Sequence, residues 1–234
     1  MIRTIRITAA ALLASALAAP SFAGPVIDWD PAYFYTTTSG VTATNSPPGA
    51  TLFIVGTVSA FGPPLTFLNA NDPSKDYTFY LDGLTSLGTT PTPIPPLGTA
   101  YVTTYTTGSI ELWEGTPRDA VFDPNPPNAN VPSTFRNSTL LLSGTISNFY
   151  TQTNDFSQFS TGNAEGKVTW TGGTLLSAIS EGGHPCPSLF TGGLSWHPGV
   201  LIAGYLFLHD GKIDLDCPTP AHSSTWGRIK ALYR

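Results

Sequence analysis

The chain has 234 residues, of which 11% are charged and 41% hydrophobic, with a formal net charge of −5. So low a charged fraction argues against a long-helix protein, and the acidic balance argues against nucleic acid as a partner, since phosphate binding needs a basic face. The apolar share is ample for a core, so the bulk of the chain is expected to fold, as one large β domain or two small ones.

The first 23 residues read as a cleavable secretory signal. Arg3 and Arg6 form a basic start, Ala9–Ala19 is an apolar run, Pro20 breaks it, and Ser21-Phe22-Ala23 supplies small residues at the cleavage positions. The run is too short for a membrane anchor, which takes about 20 apolar residues. Export is therefore expected, to the extracellular space or cell surface or else the periplasm, with no transmembrane segment in the mature chain. Cleavage leaves eight basic residues against fifteen acids, a net charge of −7. The two cysteines, Cys186 and Cys217, are expected to pair as a disulfide in such a compartment, the alternative being a metal thiolate pair.

In chain order, β-branched and aromatic runs predict strands at 51–58, 77–81, 100–105, 109–113, 139–146, 167–170 and 200–208. Turn signals separate them, including Gly62-Pro63-Pro64, Asn71-Asp72-Pro73, Asp82-Gly83, Gly172-Gly173 and Gly182-Gly183. Asp210-Gly211 between alternating segments reads as a tight hairpin. The proline-rich stretch Leu87–Gly98 reads as a surface loop, because proline removes ladder donors. Asp119–Pro132, with four prolines, reads as a stiff linker or long loop.

Two internal matches suggest a duplication. Thr51–Phe61 shares six of eleven residues with Thr139–Phe149, and Gly108–Gly115 aligns with Gly204–Gly211. The expected architecture is an all-β antiparallel sandwich or barrel spanning 24–217, built from a duplicated unit at about 45–120 and 133–217. A linker at 218–225 leads to a basic tail at 226–234. There Trp226, Ile229 and Tyr233 share one face of a short C-terminal helix that also carries Arg228, Lys230 and Arg234. The tail is a candidate sorting or docking element.

No nucleophile elbow, phosphate loop, zinc-protease helix or haem motif is present, so no catalytic residue, metal or cofactor is assigned. Glu111 and Glu114 are three apart on a strand and point to opposite faces, so they cannot serve as a glycosidase pair alone. Asp28 and Asp30 share a face but lie at the mature terminus, where order is expected to be poor. The four histidines, His184, His197, His209 and His222, all fall in the last quarter, and only His209 sits at a strand end. The candidate ligand-binding residues are Trp113, Glu114, Trp196, His209 and Asp210, with Trp29 and Trp170 as further candidates for a sugar-stacking platform.

At Tyr77–Leu84 and Gly108–Gly115 the chain resembles exported bacterial β-sandwich proteins of unknown function, some of which carry a PEP-CTERM sorting tail; the Pro-Glu-Pro motif is lacking here. The resemblance implies an envelope or matrix role and assigns no catalytic residues. Two functions remain: a non-enzymatic protein that binds polysaccharide or other envelope proteins, or a secreted hydrolase acting on polysaccharide.

Overall fold

The computed structural model describes residues 25–156, 160–196, 199 and 201–217. The expected signal peptide, the 218–225 linker, the tail with its helix, His197 and His222 lie outside the described residues. The strands are β1 (Pro25–Tyr35), β2 (Thr51–Phe61), β3 (Asp76–Ile94), β4 (Gly98–Tyr105), β5 (Gly108–Gly115), β6 (Thr139–Phe156), β7 (Ser160–Gly172), β8 (Ser180–Glu181), β9 (His184–Pro185), β10 (Ser188–Ser195) and β11 (Phe207–Leu215).

Eight strands close a ring in which each pairs antiparallel with the next along the chain: β1, β2, β3, β5, β6, β7, β10 and β11. β1 and β11 complete it, with Trp29 opposite Gly211 and Tyr33 opposite Leu208. β4 shares the lane of β5, since both lie between β3 and β6. Of the two expected forms, the structure is the barrel. Closure satisfies the edges that an open sheet would expose.

Side chains alternate along each strand between the interior and the outside. β7 buries Ala164, Val168 and Trp170 and turns Lys167, Thr169 and Thr171 to solvent. The main core fills the barrel and includes Trp29, Phe34, Phe79, Phe149, Trp170 and Phe190. On β7 the inward face is apolar and the outward face polar, the reverse of the alternation in a membrane-spanning barrel. Among the described residues no helix is long and apolar enough to cross a membrane.

Several expectations are corrected. Residues 25–35 are a closing strand with Trp29 fully buried, because β2 and β11 flank them on both sides. Asp210 and Gly211 lie inside β11, opposite Gly193 and Gly192, and β11 starts at Phe207. Gly211 is a packing glycine: a Cβ there would come within 2.9 Å of the Trp29 ring. Asp82-Gly83 likewise lies within β3, Gly83 taking a positive φ of 72°. Most of the stretch 87–98 is the far half of β3, with Pro91 opposite Tyr101 and Pro93 opposite Thr99 on β4. β2 pairs with β3 only as far as Thr85, so along this stretch one edge of β3 is free of β2, and an edge position tolerates proline.

Residues 116–138 are a packed strap across the outer face. Val131, Phe122 and Phe135 join Tyr33, Tyr35, Val55, Tyr80 and Tyr205 in a second core. Asn125 N–H donates to Ala203 O and the Tyr205 hydroxyl to Asp123 O, which joins the strap to the loop before β11. The internal matches fall on β2 and β6, three steps apart and opposite in direction, and on β5 and β11, four steps apart and alike in direction. No single rotation of the barrel relates both pairs, so the likeness is not shown as a structural repeat.

Candidate functional site

An eight-stranded barrel is wide enough either to be filled by side chains or to hold one small ligand. Here rings fill it. His209 sits at the centre, fully buried, its ring stacked on Phe190 at 5.3 Å and 5.2 Å from that of Phe34. Its Nδ1 accepts the Trp29 Nε1 hydrogen at 3.0 Å, which places the proton of the neutral imidazole on Nε2. Nε2 faces the Gly192 backbone without a well-aligned partner. Burial drives the His209 pKa down to about 3, against a slight upward pull from Gly192. A fully buried neutral ring with no solvent access is a core residue.

The other candidates do not converge on it. Asp210 points out of β11; its pKa is raised by partial burial, then by the carboxylates of Asp30 and Asp28. Trp196 is half-buried at the opposite end, edge-on to Phe207. Trp170 is a core ring whose Nε1 donates to Ser188 Oγ, so neither it nor Trp29 can offer a stacking platform. Trp113 is half-buried on the outer face and donates to Glu111 Oε2. Arg136 lies over the Tyr80 ring and pairs with the same Glu111 at 3.1 Å. Cys186 and Cys217 form a disulfide at the mouth of the barrel, as expected.

Glu114 stands at the rim. Lys75 Nζ donates to it at 2.9 Å, and Tyr77 beside it has its pKa pushed up to about 12 by burial and by its hydrogen bond to Glu114. Next to this pair opens a polar groove of 280 Å³, lined by Asp30, Thr57, Ser59, Asn71, Lys75 and Arg118 among others. Bulged β1 supplies Asp30, the end of β2 supplies Thr57 and Ser59, and the turn before β3 supplies Asn71. Hydroxyls, an amide and both signs of charge can hydrogen-bond a polar ligand. Lys75 is engaged by Glu114, so it is not a free nucleophile. Sequence reasoning singled out Glu114 but missed the groove, because its residues come from separate segments joined only by barrel closure.

Among the described residues, metal-type side chains gather in threes at Glu181, Cys186 and Cys217, where the sulfurs are engaged in the disulfide. No family model, no curated protein and no solved structure matches the chain.

Proposed function

We propose that the protein is an exported, non-catalytic barrel of the cell envelope or extracellular matrix that works by binding or assembly. The observation that carries this reading is the aromatic filling of the barrel around Trp29, Phe190 and His209, which leaves ligand contact to the outer surface and the rim. The rim groove offers hydrogen-bonding groups suited to a hydroxyl-rich ligand such as a polysaccharide. The Cys186–Cys217 disulfide is compatible with an oxidising compartment.

The test incubates the purified protein with insoluble polysaccharides and measures both retention and release of reducing ends. Retention without release is expected, weakened by substitution of Asn71 and Arg118 in the groove. Release of reducing ends would favour the hydrolase instead, and no retention on any polysaccharide or envelope fraction would sink the binding reading.

A further inference from the structure

At the foot of the strap two buried oxygens lack a donor. Asp76, the first residue of β3, is only 6% exposed. Its Oδ2 accepts the N–H groups of Asp119 and Ala120, each at 2.8 Å, while its Oδ1 is buried and accepts nothing. Asn137 Oδ1, at the other end of the strap, is likewise buried and without a partner. The two converge beside Gly115: a Cβ there would overlap Asp76 Oδ1 and lie 3.4 Å from Asn137 Oδ1.

Turning the Asn137 amide over does not relieve this. As placed, Nδ2 reaches both oxygens of Asp119 at 3.0 Å. Reversed, the amide would lose both of these bonds and turn Oδ1 toward the Asp119 carboxylate. As placed, the amide serves Asp119 while its own Oδ1 and Asp76 Oδ1 are both left without a donor. Leaving a buried carboxylate oxygen unpaired is costly. The nearest cation in sequence, Lys75, is held by Glu114. Arg118 lines the adjoining groove and makes no ion pair among the described residues.

We propose that Asp76, Asp119 and Asn137 hold a hard divalent cation, of the calcium type, at the foot of the strap. The donors are two carboxylates and an amide carbonyl, all oxygen, which suits calcium over zinc or copper. Calcium also accepts the irregular geometry and the waters that three protein ligands leave to complete its shell. The ligands come from the start of β3 and both ends of the strap, so the ion ties the strap to the barrel. This inference is independent of the polysaccharide reading.

The experiment compares thermal melting of the full protein in EGTA and in millimolar calcium, with calorimetric titration of calcium. Binding only to the folded state raises Tm, here on the order of 5 °C at saturation, with one ion per chain. Asp76→Asn removes the charge with almost no change of shape and supplies a donor for this buried spot, so it keeps the fold and abolishes the calcium shift. Asn137→Ala is the second variant, read by calorimetry, and weakens binding at least tenfold. An unchanged melt in the unsubstituted protein overturns the proposal, as does a full calcium shift persisting in Asp76→Asn. A calcium-insensitive protein that Asp76→Asn stabilises would show that the site needs a hydrogen-bond donor and no ion.

Discussion

Trp29 Nε1 donates to His209 Nδ1 at 3.0 Å, joining residues 180 apart in sequence across the seam where β1 meets β11. The bond fixes which imidazole nitrogen carries the proton, and it needs His209 neutral: a protonated ring has no lone pair on Nδ1 to offer Trp29. The seam is thus sensitive to acid.

Folded His209 titrates near 3, well below its ordinary 6.5, because burial disfavours the charged form. The unfolded chain binds this proton first, so stability is complete above pH 6.5 and is lost as pH falls toward 3. The slope approaches about 1.4 kcal/mol per pH unit for one proton. His209→Gln keeps an acceptor for Trp29 and cannot titrate. Urea unfolding at pH 7 and pH 5 should show the loss in the unsubstituted protein and a clearly smaller one in the variant. Equal losses in both would remove His209 as the cause.

Gly192 makes room for that imidazole. A Cβ there would overlap Asp210 O and come within 2.5 Å of both Gly211 Cα and His209 Nε2. Two of these neighbours are backbone, so no rotamer relieves the contact. Gly192→Ala should cost about 1–3 kcal/mol, seen as a lower urea midpoint with an unchanged slope. Gly193→Ala, where a Cβ meets nothing within 4 Å, is the control. Equal midpoints for the two variants would refute the packing argument.

Local chemistry made strands such as Thr51–Phe61 and Gly108–Gly115 readable, since their apolar residues recur in the barrel core. The failures were positions where a distant partner decides. Asp210-Gly211 has the chemistry of a turn, but Gly192, Gly193 and the Trp29 ring turn it into mid-strand. Pro91 and Pro93 read as loop because nothing local shows which edge of a strand is free. Glu114 is a candidate in the sequence and lies at the rim, whereas Asp76 sits in an Asp-rich stretch that reads as a turn and lacks the spacing of a calcium loop; its orphaned oxygen, like that of Asn137, exists only once the strap is folded down.

The disulfide closes a loop over a sequence separation of 31 residues, holding the end of β11 against the β8–β9 excursion. On the loop-entropy model, removing it costs about 3–4 kcal/mol. Cys186→Ala with Cys217→Ala should melt well below the parent in oxidising buffer, and reducing agent should lower the parent toward the variant. A variant that melts with the parent would mean that the barrel hydrogen bonds alone hold this end.

Phe135 decides whether the strap belongs to the folding unit. Its ring is fully buried, 4.8 Å from that of Phe122, in a short 3-10 turn at Ser133–Phe135. That turn is pinned where Phe135 O accepts the Thr78 hydroxyl at 3.0 Å. The strap thus covers β3 on its outer side, leaving Asp76–Leu81 buried on both faces. Phe135→Ala removes the ring while leaving the backbone acceptor, and should cost about 3–5 kcal/mol. Because the strap packs on residues of β1, β2 and β3, the loss should show as one cooperative shift of the whole melt. Limited proteolysis should then cut the variant between 116 and 138 before the barrel strands. A normal midpoint with rapid cleavage there would instead mark the strap as an independent appendage.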